Sequence, residues 1–486
     1  MAISVMLRPA RIVPALVVVA LICLIYTRWS PRWPSSLTSS NLLETIGHTT
    51  PTTDSAAVPK LVEDAHKLPN ADAFLEHFKA VTRIKSMPIA EAKSGCTWPD
   101  MREVNFQFGA DAEWAEKDRD DRELETRRME WHDFIENKLI PYAPYKDRFH
   151  GRGIVIVAGN EHSMKRVKVI LRALKKLNSR MAIELHYWDG ELTDELKKEV
   201  SSMWPTMYFN DLSAPSNILK TSFNHFYINY QLKTAAVMNS RFAEPLLLDS
   251  DNIPIVDPES LYESSIYKEY NTLFWPDIAR TRPNNPMWAI TNTKCRMDEY
   301  EQESGQLIVN KHKYFYHLQL AAWFNNNNLE YYSKFMLGDK DLFRFAWHAL
   351  KTKYGFPPKW LTSVGTVADG FYCGHSFAQH HPNGSIAFLH GGLVKTMAKE
   401  VMKWQRESHG GIFQVYKRSN YDERHDMSIH VGIKLDGGEY LPKRPADLHT
   451  AMCTDFYDIK PRPLDEVVPG FQKTFEELGG YWMLDV

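Results

Sequence analysis

Asp249 and Asp251 stand one residue apart at the end of an apolar run, in the sequence EPLLLDSDNIPI at residues 244–255. The leucines of this run fit a strand that is buried on both faces, and ligands bind beyond the carboxyl ends of such strands. If the backbone stays extended, both carboxylates point the same way, although they repel each other. We therefore expect a hard divalent cation, Mg²⁺ or Mn²⁺, between them, because such ions prefer oxygen ligands.

The same residues also fit a simpler interpretation. Asp and Asn frequently cap turns and chance D-x-D pairs are common, so DSDN is also compatible with a turn that binds nothing. Two neighbouring features favour the cation site. A strictly apolar run precedes it, and the helix start Asp257-Pro258-Glu259 follows it.

Polar residues in two later segments are candidates for the same site. ESGQLIVNK offers Glu303, Ser304 and Gln306 around Gly305 before a helix, although a polar loop is the favoured interpretation of this segment in isolation. FMLGDKDLFRFAWHAL places Asp339 and Asp341 at a helix start, where capping alone would explain both carboxylates.

Histidines supply candidates for a third metal ligand. His390 ends the apolar run of FLHGG before two glycines, a position suited to a ligand, and His375 lies in FYCGHSFAQHH. We rank His390 first and His375 second, and expect the other histidines of these two segments to be structural.

The segments around these residues alternate between strands and helices. Apolar and β-branched runs predict strands at GRGIVIVAGN, AIELHYW, MYFND, PLLLD and NTLFW. Helical patterns occur at VKVILRALKKL, LTDELKKEVSSM, FYINYQLKTAAVMN, KHKYFYHLQLAAWF and DKDLFRFAWHAL. This alternation predicts an α/β domain with a mainly parallel sheet.

The N-terminus predicts a membrane anchor. Residues 12–26, IVPALVVVALICLIY, carry no charge, and arginines flank them on both sides. No small-residue cleavage site follows, so we prefer an uncleaved signal anchor to a cleaved signal peptide. The short tail and the large mass behind it favour a single-pass protein with its bulk in the lumen. The formal net charge of −2 gives no general attraction for nucleic acid, and we expect no nucleic-acid partner.

These patterns divide the chain into six parts: a cytosolic tail (1–11), the anchor (12–27), a Ser/Thr/Pro-rich flexible stem (28–60), a helical region packing on the catalytic domain (61–150), the catalytic domain (151–400) and a C-terminal lobe (401–486). Four luminal cysteines, Cys96, Cys295, Cys373 and Cys453, allow two disulfides in three connectivities. A metal–diphosphate site in a luminal α/β enzyme predicts a glycosyltransferase that uses a nucleotide sugar.

A known family shares these segments in the same order. GRGIVIVAGN, AIELHYW, PLLLDSDNIPI, ESGQLIVNK, LGDKDLFRFAW, FYCGHSFAQHHPNG and FLHGG, together spanning Gly151 to about Lys395, resemble the MNN-type α-mannosyltransferases of glycosyltransferase family 71, which extend mannan branches of glycoproteins in the fungal Golgi. The resemblance implies a GT-A-like nucleotide-sugar-binding fold in a type II Golgi membrane protein.

The resemblance also implies the reaction. The donor would be GDP-mannose, the cofactor Mn²⁺ (or Mg²⁺), and the acceptor a mannose residue of a glycoprotein glycan in the cell-wall mannan. The configuration would be retained, with an α-1,2 or α-1,3 linkage formed, and the enzyme would act within a Golgi mannosyltransferase complex.

Residue by residue, the resemblance assigns three groups of candidates. The metal ligands would be Asp249, Asp251 and His390, the first two also holding the diphosphate. The catalytic residues facing sugar and acceptor would be Glu303, Asp339 and Asp341. The remaining donor contacts would be Ala158, Gly159, Asn160, Gly305 and Gln306.

Two alternatives stay open. A luminal transferase with another nucleotide sugar, such as UDP-galactose or UDP-glucose, would use the same D-x-D chemistry, because only the resemblance selects mannose. A non-catalytic glycan-binding relative would keep the fold, although the intact D-x-D argues against it.

Overall fold

The structure is a computed structural model that describes residues 57–96, 119–224, 229–296, 298–326, 329–336, 338–368, 370–391, 394, 397–418, 431–434, 453–456 and 459–484. The predicted tail and anchor, and most of the predicted stem, lie outside these residues. Within them, no helix combines the length and the apolar character that a membrane span requires.

Helices and strands alternate through the middle of the chain. The helices are α1 (Val58–His66), α2 (Phe74–Val81), α3 (Ile89–Lys93), α4 (Asp121–Asn137), α5 (Glu161–Lys176), α6 (Asp194–Met203), α7 (Gln231–Asn239), α8 (Ser265–Tyr270), α9 (Met287–Ile290), α10 (Lys311–Asn326), α11 (Leu329–Tyr332), α12 (Lys340–Ala349), α13 (Lys399–His409) and α14 (Phe471–Glu477). The strands are β1 (Arg152–Val157), β2 (Ala182–Tyr187), β3 (Met207–Asp211), β4 (Glu244–Leu248), β5 (Asn252–Pro254), β6 (Thr272–Pro276), β7 (Gln302–Val309), β8 (Thr362–Ala368), β9 (Phe371–His380), β10 (Ile386–His390), β11 (Val415–Lys417), β12 (Val431–Lys434), β13 (Cys453–Phe456) and β14 (Arg462–Pro463).

The central sheet has the strand order β3-β2-β1-β4-β7-β6. Strands β3, β2, β1 and β4 are parallel, and β7 runs antiparallel to both of its neighbours. Strand β6 therefore points the same way as β4, and only β7 is reversed. Leu246, Leu247 and Leu248 are buried, as a strand covered on both faces requires. The prediction of a mixed α/β domain with a mainly parallel sheet is confirmed.

Strand β7 replaces the polar loop favoured for ESGQLIVNK, so that interpretation is wrong. Leu307 pairs with Phe274 of β6, but the next β6 residue, Trp275, pairs with Glu303. Residues 304–306 therefore form a bulge, which bends a strand and redirects its side chains. The apolar end of β7 lies in the sheet core, and its polar start remains available to a site.

Two helix predictions also differ from the structure. The helix expected over FYINYQLKTAAVMN begins only at Gln231, and residues 225–228 lie outside the described part of the chain. The helix start at Asp257 begins a 3₁₀ helix, Pro258–Glu263, which Asp257 caps by accepting a hydrogen bond from the Glu259 N–H. The predicted cap is present, but the α-helix begins later, at Ser265.

A second sheet has the strand order β12-β13-β9-β8-β11-β14. Its strands come from two regions of the chain. Strands β8 and β9 belong to the predicted catalytic domain, whereas β11 and β13 come from beyond residue 400. The domain boundary drawn at residue 400 therefore runs through a sheet. Strand β10 pairs with β9 and also with β5, which places His390 opposite Asn252.

The N-terminal helices pack on the α10 side of the central sheet. The ring of Phe74 in α2 lies 4.6 Å from His317 and 5.9 Å from Tyr314, centroid to centroid. Trp131 of α4 donates an indole hydrogen bond to the Ile290 carbonyl. Of the three connectivities left open, the structure has Cys96–Cys295, which joins this helical region to the catalytic domain, and Cys373–Cys453.

Candidate functional site

The two aspartates lie in a tight turn at the carboxyl end of β4. The Asp249 N–H donates to the Gly305 carbonyl at 2.8 Å, and the Asn252 N–H donates to the Asp249 carbonyl at 3.0 Å. The Asn252 side-chain amide also donates to the Gly305 carbonyl, at 2.9 Å, and to Gln306 Oε1. The bulge in β7 therefore fixes the turn, and the turn sends the chain into β5.

Asp249, Asp251 and His390 converge at this turn. Each offers a ligand atom, and the three ligand atoms lie within 4.8 Å of one another. The imidazole Nε2 of His390 is 3.5 Å from Asp251 Oδ1 and 3.8 Å from Asp249 Oδ2. The pairing of β10 with β5 causes this convergence, because it sets the end of one strand beside the start of the other.

This donor set suits a divalent cation. Two carboxylates and an imidazole match the ligands that Mn²⁺ and Mg²⁺ accept in proteins. Both ring nitrogens of His390 are buried and have no hydrogen-bond partner among the described residues. Buried polar atoms usually have a partner, and a cation between the three side chains would provide one for His390.

The side chain of His390 is surrounded by negatively charged carboxylates. Burial acts to lower the pKa of His390, but the carboxylates of Glu303, Asp251 and Asp249 outweigh it and raise the pKa to about 8. The same carboxylates would attract a metal ion. The cluster therefore favours positive charge, as the D-x-D spacing predicts.

Glu303 and Gly305 of β7 pack against the imidazole of His390. Glu303 Oε1 accepts a hydrogen bond from the Gly305 N–H at 2.7 Å and lies 3.7 Å from His390 Nδ1. Burial raises the pKa of Glu303. A Cβ on Gly305 would lie 2.4 Å from His390 Cε1, so only glycine lets the imidazole occupy this position.

Lys233 of α7 is a member of the site that sequence reasoning missed. Its Nζ lies 2.8 Å from Asp249 Oδ1 and 2.9 Å from Asp249 Oδ2, and 3.6 Å from Asp339 Oδ1. Burial opposes its charge, but Asp249 and Asp339 raise the pKa of Lys233 above its usual value. A signal was present in the sequence, because Lys233 is the only charged residue of QLKTAAVMN.

The two carboxylates at the start of α12 have different partners. Asp339 occupies the cap position but makes no capping hydrogen bond, and lies near Lys233 instead. Burial raises the pKa of Asp339. Asp341 Oδ1 accepts from the Gln302 N–H at 3.0 Å and pairs with Arg344 Nη2 at 2.7 Å. Asp341 therefore anchors the start of β7, and the structure brings only Asp339 close to the cation cluster.

Residues 158–160 follow β1, the strand next to β4. The Gly159 N–H donates to Ser163 Oγ at 3.2 Å, and Asn160 caps α5 by accepting from the Ser163 N–H at 3.0 Å. One turn further along α5, Arg166 Nε donates to Ser250 Oγ at 3.0 Å. The start of α5 and Arg166 therefore lie beside the aspartate turn, where the helix dipole and the arginine favour an anion.

His375, ranked second as a ligand, lies in β9 of the other sheet. Its Nδ1 contacts Ser376 Oγ at 2.9 Å, and its Nε2 contacts the Ile412 carbonyl. Burial lowers the pKa of His375 to about 4. Both nitrogens are used by the core, and the structure does not bring this residue into the cation cluster.

A cavity of about 1080 Å³ lies elsewhere, between the N-terminal helices and residues 292–296 and 351–354. Its lining includes none of the predicted site residues. Cavity size therefore does not locate the site in this protein, whereas the convergence of ligand atoms does.

A cluster of two carboxylates and an imidazole lies at the carboxyl edge of a mostly parallel sheet. This edge is where α/β proteins commonly bind their ligands. Residues 151–299 and 286–381 match the model of the family described as "Mannosyltransferase putative". This part of the chain belongs to that mannosyltransferase family, so the family recognised from the sequence segments is confirmed. The matched part, residues 151–381, thus belongs to a glycosyltransferase family.

Curated relatives agree with the family. The chain is 24% identical over 313 residues to the α-1,2-mannosyltransferase MNN2 of Candida albicans, an alignment covering 52% of this chain and 50% of that protein. It is 24% identical over 381 residues to MNN23 of the same organism, covering 67% and 61%. The probable α-1,3-mannosyltransferase MNT4 of Saccharomyces cerevisiae is 22% identical over 49% of each chain. The chain thus spans about half to three-fifths of the length of these relatives.

Solved structures give weaker matches. The glycosyltransferase GlyE of Streptococcus pneumoniae has a TM-score of 0.29 at 15% identity, over 43% of this chain and 45% of that one. The galactosyltransferase LgtC has a TM-score of 0.30 at 14% identity, over 42% and 73%. The strand order of the central sheet defines the architecture independently of these matches.

Proposed function

We propose that this protein is a divalent-cation-dependent, retaining α-mannosyltransferase with a GT-A-like catalytic domain. It transfers mannose from GDP-mannose to a mannose residue of a glycoprotein glycan. The observation that carries the proposal is the convergence of Asp249, Asp251 and His390 within 4.8 Å, inside a segment that matches the mannosyltransferase family model.

The cation would be Mn²⁺ or Mg²⁺, held by Asp249, Asp251 and His390. When bound, such a cation would stabilise the negative charge that develops on the leaving diphosphate. The chain's own residues orient this site. Gly305 holds the aspartate turn through its carbonyl and leaves room for the imidazole, and Arg166 with the start of α5 offers positive charge to the diphosphate.

Transfer with retention breaks the bond between the mannose C1 and the phosphate oxygen and forms a bond from C1 to the acceptor hydroxyl oxygen on the same face. In a single same-face step, the hydroxyl proton passes to the leaving phosphate. In a two-step route, a carboxylate attacks C1 and expels the diphosphate, and the acceptor hydroxyl then displaces that carboxylate and gives its proton to the departing diphosphate. Asp339 and Glu303 are the carboxylates placed to act as that nucleophile or to position the acceptor hydroxyl, since both are buried beside the cluster. Asp341 positions β7, because its Oδ1 already holds Arg344 and the Gln302 N–H.

The remaining features of the proposal follow the family. The α-1,2 activity in the names of several relatives favours an α-1,2 linkage, with α-1,3 as the other candidate. We place the enzyme in the Golgi membrane as a single-pass type II protein, with the catalytic domain in the lumen and a mannosyltransferase complex as its partner.

The test uses the full-length protein purified in detergent, with Mn²⁺, an α-mannoside acceptor and a panel of GDP- and UDP-sugars. We expect transfer from GDP-mannose alone, which EDTA abolishes and which Asp251→Asn reduces by at least about 100-fold, in line with loss of a principal electrostatic contact. Asp194→Asn, an exposed helix-start aspartate, is the matched control and should retain full activity.

Other results would point elsewhere. Transfer from a UDP-sugar instead would replace the donor and keep the site. No turnover with any donor, together with no metal-dependent protection by nucleotide against heating, would indicate a non-catalytic glycan-binding relative.

A further inference from the structure

Lys233 lies where the cation is expected to act. Its ammonium contacts both oxygens of Asp249, at 2.8 and 2.9 Å, and is 3.6 Å from Asp339. We propose that Lys233 is a resident counter-ion that competes with the divalent cation for Asp249 and moves to Asp339 when the cation binds. This inference rests on the proposed function and assigns a positioning residue to it.

The competition follows from the geometry of Asp249. A carboxylate whose two oxygens both contact one ammonium is already partly neutralised, so it is a poorer ligand for a metal ion. A divalent ion bound to Asp249 also repels the ammonium, because both are positive and lie in a poorly screened site. Binding of the ion therefore requires Lys233 to leave Asp249, at least in part.

The surroundings limit where the ammonium goes. Lys233 stands on a helix whose described residues are otherwise buried, and its own side chain is only 17% exposed. Asp339 is the nearest second carboxylate, and closing the 3.6 Å separation to a hydrogen-bonding distance needs a movement of about 0.7 Å. A small rotation of the side chain therefore transfers the ammonium from one carboxylate to the other.

The transfer would couple the two halves of the site. Under the proposed function, Asp249 would face the donor's diphosphate, whereas Asp339, at the cap position of α12, is a candidate for contact with the sugar. Before the cation binds, Lys233 neutralises mainly Asp249, and afterwards it neutralises Asp339. Arrival of the cation would thus set the charge and orientation of the carboxylate on α12.

Direct Mn²⁺ binding tests this without a sugar donor. Free Mn²⁺ is followed by electron paramagnetic resonance in titrations of the full-length protein in detergent. We expect Lys233→Met to lower the Mn²⁺ dissociation constant at least fivefold, because a competing cation is removed. Turnover of the same variant at saturating Mn²⁺ should fall at least 50-fold, because Asp339 lacks its counter-ion. If the role of Lys233 were purely structural, Lys233→Met would bind Mn²⁺ more weakly and also turn over more slowly.

Matched variants separate competition from general damage. Lys311→Met removes another buried lysine, one that hydrogen-bonds Ser240 away from the cluster, and should leave the Mn²⁺ constant unchanged. Lys233→Arg keeps the charge and should bind Mn²⁺ within about twofold of the unaltered protein. Asp339→Asn removes the second carboxylate and should weaken Mn²⁺ binding, and this variant keeps the test decisive if Lys233→Met does not fold.

Two results would overturn the inference in distinguishable ways. Mn²⁺ binding that is equal or weaker in Lys233→Met, with normal binding by the unaltered protein, refutes the competition and leaves the proposed function standing. No Mn²⁺ binding by the unaltered protein refutes the cation site itself, and the role of Lys233 falls with it.

Discussion

Replacing Gly305 by alanine tests whether close packing beneath His390 holds the cation site together. The added Cβ would lie 2.4 Å from Cε1, 2.7 Å from Nδ1 and 3.0 Å from Nε2 of the imidazole. Ordinary contacts between such atoms are about 3.5–4.0 Å, so the ring must move by about 1 Å or more. The ring cannot keep its distances to Asp251 and Asp249 after such a shift.

The magnitude follows from two effects. Overpacking a filled interior costs about 1–3 kcal/mol of the free energy of unfolding. A misplacement of about 1 Å at a reacting site costs roughly 100-fold in rate, and disturbed support of a metal ligand costs about 10–100-fold in metal affinity. We therefore expect Gly305→Ala to weaken Mn²⁺ binding at least tenfold and to reduce mannosyl transfer about 100-fold.

The assay combines a Mn²⁺ titration, initial rates with GDP-mannose, and chemical denaturation of the full-length protein. Gly190→Ala is the matched control, since a Cβ there meets nothing within 4 Å. Its free energy of unfolding and its Mn²⁺ constant should stay at the unaltered values, within about 0.5 kcal/mol for the former. If Gly305→Ala binds Mn²⁺ as tightly as the unaltered protein, the packing argument for this site is wrong.

Three further predictions concern the stability of the fold. Phe74→Ala should lower the free energy of unfolding by about 3–5 kcal/mol in urea denaturation, because it removes a fully buried side chain between α2 and α10. Leu75→Ala, on the exposed side of the same helix, is the control and should change this free energy little. Replacing Cys96 and Cys295 together by alanine removes a disulfide between positions 199 residues apart. In the chain-entropy description, this should lower the free energy of unfolding by ~5 kcal/mol. An unchanged denaturation midpoint would contradict this disulfide pairing. Burial lowers the pKa of His375 to about 4, below its ordinary value near 6.5, so the unfolded state takes up its proton first as the pH falls. The contribution of His375 to the free energy of unfolding should therefore be complete above pH ~6.5 and decline by up to ~3 kcal/mol towards pH ~4. His375→Gln should flatten the dependence of the free energy of unfolding on pH in this range, relative to the unaltered protein.

Local chemistry made part of the site predictable. The apolar leucines before DSDN required a buried strand, and such a strand delivers its next residues to the edge where ligands bind. His390 was predictable for the same reason, since it ends an apolar strand and precedes glycines. In both cases a short run of sequence determines the element and its end.

Contacts between distant segments explain what the sequence could not reveal. The start of β7 is polar, and it is a strand because β6 pairs with it, while the apolar half pairs with both β6 and β4. Lys233 reaches Asp249 through the packing of α7, which no local pattern specifies. The second sheet joins strands on either side of residue 400, so the boundary placed there marks a change in pattern rather than a change of fold.

The central claim is that Asp249, Asp251 and His390 hold one divalent cation that carries the donor's diphosphate. The most direct measurement is a Mn²⁺ titration of the full-length protein by electron paramagnetic resonance, with and without GDP-mannose, comparing the unaltered chain with His390→Gln and Asp251→Asn. The account predicts one Mn²⁺ per chain, tighter binding when GDP-mannose is present, and at least tenfold weaker binding in both variants. Equal Mn²⁺ binding by all three proteins, or binding that GDP-mannose does not affect, would contradict it.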